Sequence, residues 1–295
     1  MKTAFDTFPE LFQNNTFMPF KNILSRIFIL RVPEDLPNIQ KYDIKKTVIV
    51  LDKASIYMST KMLQMGFSHC LSADRKDLNK EILAASCLLL EPAILTNNDT
   101  PFLFGNLIKK NKSVEGYEKL YFEAFSSDDK TVMLQKLDEY INRNPKLNSL
   151  RDLALQISDE LITNSIYEAT IKRHNMRSNV NIDRTDQVTL GKDKSVVFYA
   201  AYDEEIFLMG CLDSFGVLNR KDVVNHLAKV YATDKAVPTL SGGGAGLGLK
   251  LIIDNAANIY FYCEKGKRTI VACGCIIGSV RENLKATKHI HISIV

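Results

Sequence analysis

Between residues 242 and 249 the sequence reads Gly-Gly-Gly-Ala-Gly-Leu-Gly-Leu, and an apolar run with helical spacing continues from Leu247 to Ala257. Small residues let a backbone come close to a ligand and tolerate positive φ. A helix that starts directly behind them aims its free N–H groups and positive dipole end at whatever occupies that space. The junction therefore reads as a phosphate seat, with an ordinary glycine-rich loop as the alternative; a lone run of this kind does not separate the two. A P-loop needs Gly-Lys followed by Ser or Thr, whereas the order here is Gly248-Leu249-Lys250. A dinucleotide fingerprint needs a strand immediately before its glycines, and the residues before Gly242 are polar and include Pro238.

The rest of the chain must supply the context. Its 295 residues exceed what one core usually holds and suit two domains. Hydrophobic residues at 46% and charged residues at 24% are globular values and argue against a disordered or fibrous class. The net charge of +4 is spread along the chain, so no nucleic-acid partner is implied. No apolar run is long enough to suggest a membrane span. The N-terminus carries Asp6 and Glu10 early and lacks a basic segment followed by an apolar one, so a cytoplasmic location is expected. Cys70, Cys87, Cys211, Cys263, Cys273 and Cys275 form no C-x-x-C pair and mostly lie in apolar runs; they read as reduced, buried small hydrophobes rather than zinc ligands.

Residues 1–24 show no sustained period. Arg26 to Leu30 and Thr47 to Leu51 are short and rich in β-branched residues, hence strands; Ala54 to Met65 has helical spacing and stops at Gly66; Phe67 to Leu71 is a further strand, and Asp77 to Leu90 a further helix. Strand and helix in alternation predict a parallel sheet with helices packed on it. The stretch from Thr47 to Ser86, about a quarter of the chain, resembles the last two β-α units of a response-regulator receiver domain. The family's chemical residues are absent: Arg31 stands where the phosphoacceptor aspartate is expected, Ala73 where the lysine is, and Asp52 where the family has Ser or Thr. A truncated, phosphorylation-incompetent receiver-like module over residues 1–100 is one reading, and an unrelated small α/β domain the other. Either would leave an open sheet edge suited to a second copy, as in a homodimer, or to a protein partner.

From Pro101 to Lys146 the pattern turns helical, with Val132, Leu134, Leu137 and Ile141 on one face, a cap candidate in residues 126–129, and a break at Asn144-Pro145. Residues 101–125 are assigned to a helical connector and 126–295 to the second domain. Ser149 to Ile171 reads as one long helix carrying Glu160 and Asn164, whose spacing of four places a carboxylate and a carboxamide one turn apart on the same face. Glu205 to Cys211 is a strand leading into Asp213-Ser214-Phe215-Gly216, a helix covers Arg220 to Tyr231, and two strands, Ile259 to Cys263 and Thr269 to Ile277, follow the glycine run. His289 to Val295 alternates and predicts an edge strand.

E-x-x-x-N on a helix, D-S-F-G after a strand, then G-G-G-A-G-L-G-L opening a helix: in this order the three segments resemble the N, G1 and G2 boxes of the GHKL, or Bergerat-fold, ATP-binding superfamily. The family includes gyrase-type ATPases, sensor histidine kinases and anti-sigma-factor serine kinases. The resemblance covers roughly residues 145–278. It implies an α/β sandwich with helices packed on one face of a mixed sheet, and ATP or ADP with Mg²⁺ as cofactors. Asn164 would then give an oxygen to Mg²⁺, and Glu160 would be the catalytic base that orients a water or a substrate hydroxyl. Asp213 would accept from the adenine amino group and Gly216 would let the backbone close under the base. Gly242, Gly243, Gly244, Gly246, Leu247 and Gly248 would meet the phosphates, Thr269 would stand near the adenine, and residues 217–241 would form a lid.

Two departures bear on the chemistry. The kinases of the family usually carry Lys or His three or four residues after the asparagine, where this chain has Tyr167 and Glu168; Lys172, Arg173 or Lys250 would have to compensate. His69 and His174 do not stand in a His-Glu motif on a preceding helical hairpin, which disfavours a self-phosphorylating histidine kinase. The resulting expectation is an Mg·ATP-binding signalling regulator that acts on a partner protein as a serine/threonine kinase or anti-sigma-like switch. The alternative is a nucleotide sensor without phosphoryl transfer.

Overall fold

The computed structural model describes residues 18–32, 43–52, 54–97, 100–103, 119–168, 187–191, 194–231 and 245–295. The strands are β1 (Phe28–Val32), β2 (Thr47–Leu51), β3 (His69–Ser72), β4 (Leu120–Ala124), β5 (Val196–Tyr202), β6 (Ile206–Asp213), β7 (Asn258–Glu264), β8 (Arg268–Ile276) and β9 (His289–Ile294). The longer helices are α1 (Ile56–Gln64), α2 (Leu78–Leu90), α3 (Asp129–Arg143), α4 (Arg151–Thr163), α5 (Arg220–Val230), α6 (Ala245–Asn255) and α7 (Val280–Lys285). The class is α/β with mixed strand pairing, and the chain divides into two compact units. Residues 1–115, 224–239 and 286–293 form the first; residues 116–223, 240–285 and 294–295 form the second.

In the first unit β1, β2 and β3 run parallel in that order, as the strand-helix alternation predicts. Every residue of β2 is buried, which explains why it reads as a continuous Thr-Val-Ile-Val-Leu run without alternation. The Ser55 hydroxyl caps α1 by accepting from the Met58 N–H at 3.2 Å. Gly66, at φ +106°, turns the chain out of that helix, and the Phe67 N–H closes the end on the Met62 carbonyl at 3.2 Å. Arg31 and Asp52, at the carboxyl ends of β1 and β2, form an exposed ion pair at 2.7 Å. The C-terminal strand β9 pairs antiparallel with β3, His69 opposite His291 and Cys70 opposite Ile290.

The second unit is an antiparallel sheet in the order β7-β8-β6-β5-β4. On β6, alternate residues Phe207, Met209 and Cys211 face α3 and α4. Tyr140 of α3 stacks on Phe207 with ring centroids 6.3 Å apart, and the Ser158 hydroxyl of α4 lies 3.4 Å from Met209 Sδ. The Asp203 carboxylate fixes the β5–β6 connection by accepting from the N–H groups of Glu205 and Ile206, each at 2.8 Å.

Several local expectations change. The edge strand expected over 289–295 is buried continuously from His289 to Ser293 rather than alternating. Residues 120–124 are a strand rather than part of a helical stretch; β4 alternates half-buried and exposed residues up to buried Ala124 and takes its order from backbone pairing with β5. β5 itself is buried along its length and was not anticipated. The helix expected over 149–171 begins as a 3₁₀ turn (Pro145–Leu150), is α-helical over α4, and loosens into a π turn at Asn164–Glu168; residues 169–171 lie outside the described residues. All six cysteines are buried and none is in a disulfide, as expected. No helix among the described residues is long and apolar enough to cross a membrane.

Candidate functional site

Every described residue of the three sequence boxes belongs to the second unit. Glu160 stands in the last turn of α4, and Asn164 opens the π turn that follows. Such a turn, with its wider ring of hydrogen bonds, often marks a functional position. Here it is held against the sheet, because Ser165 is buried and its hydroxyl lies close enough to the Cys211 thiol to favour the thiolate against burial. Both Glu160 and Asn164 are half-buried. Tyr167 is 7% exposed and thus committed to the core; the side chain of Glu168, residues 172–174 and residues 232–241 of the expected lid 217–241 lie outside the described residues.

A different cation reaches this helix end. Lys130, in the first turn of α3, places Nζ 2.7 Å from Thr163 Oγ1 and 2.8 Å from Asp159 Oδ1, the residues directly before Asn164 and Glu160. Nothing in the sequence marks it, since it approaches from another helix. Lys250 is engaged with Asp254 one turn further along α6.

The glycine-rich helix meets α4 side on. Gly248 is buried, and its Cα packs on the carboxylate end of Glu160 so closely that a Cβ there would fall within the Glu160 side chain. Gly246 and Leu247 lie in the first turn of α6, while Gly242, Gly243 and Gly244 lie outside the described residues.

Asp213 ends β6 at 4% exposure. Its Oδ1 accepts from the Phe215 N–H at 2.9 Å and from the Gly216 N–H at 3.4 Å, an Asx-type turn that fixes the carboxylate. Burial nevertheless pushes its pKa up to about 6, against those two N–H groups and Thr269. Thr269 faces Asp213 across the β6–β8 ladder. Its buried hydroxyl eases the charge on Asp213 yet makes no hydrogen bond of normal geometry among the described residues. Gly216 takes φ +60° and lies against the β7–β8 turn, with its carbonyl accepting from the Gly266 N–H at 2.9 Å. Lys194, which the sequence reading did not single out, donates to the Ser214 carbonyl and holds its ammonium 5.7 Å from the Phe215 ring centroid.

The structure therefore gathers Asp213, Gly216 and Thr269 at one end of the β6–β8 ladder and Glu160 with Gly248 where α4 and α6 touch. The π turn links the two, packing Ser165 beside Cys211, two residues before Asp213. A buried acceptor on a rigid strand end, a buried hydroxyl beside it and a glycine helix start can orient a polar planar ring and an anion. Magnesium asks for few protein oxygens when phosphates share it, and the Asn164 carboxamide fits that limited demand; among the described residues no group of three His, Cys, Asp or Glu side chains could hold a metal by itself. Neither a protein-family model nor a curated protein matches the chain.

Proposed function

We propose that the second unit is a GHKL-type module that binds a magnesium-complexed adenine nucleotide and regulates a partner protein. The observation that carries this reading is the contact between Gly248 and Glu160, because it brings the E-x-x-x-N helix and the glycine-rich helix into one locus although 87 residues separate them. On this reading Asp213 and Thr269 take the adenine edge, and the α6 N-terminus takes the phosphates. Asn164 offers its side-chain oxygen to Mg²⁺, which would supply charge neutralisation on the phosphates. Glu160 orients the attacking hydroxyl or water and accepts its proton. Calorimetry with Mg·ATP on the wild-type chain tests the reading: saturable binding that Asp213→Asn weakens is expected, and no binding at millimolar nucleotide overturns it.

The burial of Tyr167 favours a second reading, a sensor that binds nucleotide without transferring phosphate, because the position is unavailable to a phosphate. Transfer of label from ATP to protein or water separates the two: loss on Glu160→Ala supports catalysis, and absence of turnover in a wild-type chain that binds ATP supports the sensor.

A further inference from the structure

The first unit contains a buried histidine cluster that the nucleotide reading does not use. His69, His289 and His291 have no solvent exposure, and Asp77 and Glu81 beside them are 5% and 4% exposed. The cluster sits on the short ladder that holds β9 to β3. His69 Nδ1 and His291 Nδ1 are 3.1 Å apart, so a single proton lies between them. His291 Nε2 is 2.9 Å from Glu81 Oε2, which calls for a proton on that nitrogen. The neutral arrangement follows: His291 carries its proton on Nε2, and His69 donates from Nδ1. The tautomer of His289 is fixed independently, since its Nδ1 accepts from the Ser72 N–H at 3.1 Å while its Nε2 faces Asp77 Oδ1 at 3.1 Å.

From these contacts we infer that the cluster is a proton-sensitive latch: His69, His289 and His291 hold the C-terminal strand β9 on β3 only while they are neutral, and mild acid releases it. A second proton on His289 must sit on Nδ1, where it meets the Ser72 N–H and breaks the bond that ties β3 to β9. Protonating both His69 and His291 sets two N–H groups face to face at 3.1 Å. The β3–β9 ladder itself is short, spanning two residue pairs plus the Ile292 N–H to Ser68 carbonyl bond at 2.8 Å.

The charged surroundings set the direction. From α2 and the turn before it come Asp74, Arg75, Asp77 and Glu81. Arg75 is bidentate on Asp77, at 3.0 and 2.6 Å, and also donates to the Thr287 carbonyl at 3.1 Å; Asp74 accepts from Thr287 at 2.7 Å. Cys87 lies further along α2 and Glu91 caps its end, and Lys288 precedes β9. β2 brings no titratable side chain, and on α1 Lys61 lies over the Tyr57 ring. Burial holds His291 below the ordinary histidine range, against the pull of Glu81. A released histidine takes up its proton near about 6.5, whereas buried His291 resists until lower pH. The latch is therefore full above that value and loses stability as pH falls below it.

Amide hydrogen exchange on the full chain, expressed as protection factors from pH 7.5 to 5, reads the latch directly. Protection at Cys70, Ser72 and Ile292 should fall at least tenfold below about pH 6.5, while β5 and β6 keep theirs; protection that stays flat across the range overturns the proposal. In His69→Gln/His291→Gln/His289→Gln the fall should vanish, and an unchanged fall would also overturn it. Should that variant not fold, imidazole ¹⁵N shifts of the wild type decide: three neutral rings at pH 7.5, with Nδ1 of His289 and His291 unprotonated, are expected, and an imidazolium among them at that pH refutes the latch.

Discussion

Gly248 and Glu160 occupy one another's space: the glycine Cα packs on the carboxylate end of the glutamate, and a methyl group on Gly248 would coincide with it. In Gly248→Ala the glutamate must swing away, because the obstacle is the end of a flexible side chain. Helix propensity gains up to about 1 kcal/mol from the change, so stability to urea should move by no more than about that amount. Nucleotide turnover, where present, should drop by about 100-fold, the scale expected when a reacting group is displaced by an ångström or so. The alanine acts through Glu160, so Glu160→Ala/Gly248→Ala should be no slower than Glu160→Ala alone, and a double-mutant cycle measures that coupling.

Gly216 leaves less freedom. At φ +60° a side chain is strained by about 1–2 kcal/mol. A Cβ would stand 2.6 Å from both Gly266 N and Lys267 N and closer still to the Glu264 carbonyl, all main-chain atoms tied to the site by the Gly266 N–H bond. Gly216→Ala should therefore lower the unfolding free energy by roughly 3 kcal/mol or more, seen as a shift of the urea midpoint at unchanged slope. The same variant should loosen Asp213, since the Gly216 N–H is one of its two turn donors.

The strands that read clearly from sequence were those whose burial is continuous and whose ends are punctuated. β2 coincides with its Thr47–Leu51 run, and β7 and β8 flank the Lys265-Gly266-Lys267 turn, where Gly266 takes φ +74°. β4 stayed hidden because its order comes from pairing with β5, a contact about 75 residues away that no local period reports. The resemblance singles out Asp213 and Thr269 separately, and only the β6–β8 register sets them opposite one another, whereas Lys130 is invisible because its partners are on α4. The histidine cluster was equally illegible: H-x-H at the C-terminus shows alternation, but only the β3–β9 register brings it to His69, Asp77 and Glu81.

Tyr199 is a local fault in the core of the second unit. Its ring lies over Gly210, the hydroxyl is fully buried near Cys211 and Cys273, and it has no hydrogen-bond partner among the described residues. Burying an unmatched hydroxyl costs about 1–3 kcal/mol. Tyr199→Phe keeps the ring and removes the cost, so it should raise the thermal midpoint, with about 1 kcal/mol of added stability by chemical denaturation. A loss of stability would mean that the hydroxyl is satisfied from outside this set of residues.

On the proposed reading, Asp213 sets nucleotide binding against stability. Its folded pKa of about 6 lies above the unfolded value of 3.8, so folding favours the protonated form. The stability this group contributes is complete below about pH 3.8 and is lost as pH rises through about 6. The difference between about 6 and 3.8 corresponds to roughly 3 kcal/mol at most. Asp213→Asn removes the buried charge while its carbonyl oxygen still accepts from Phe215 and Gly216, so the ligand-free protein should be stabilised at pH 7.5 by up to that amount and unchanged at pH 4. The same geometry turns the new amide nitrogen toward the position held by the second carboxylate oxygen. On the proposed reading a donor then faces the adenine amino donor, and affinity for ATP should fall by about 10- to 100-fold. Chemical denaturation at the two pH values, together with calorimetry at pH 7.5, tests whether one substitution moves stability and affinity in opposite directions.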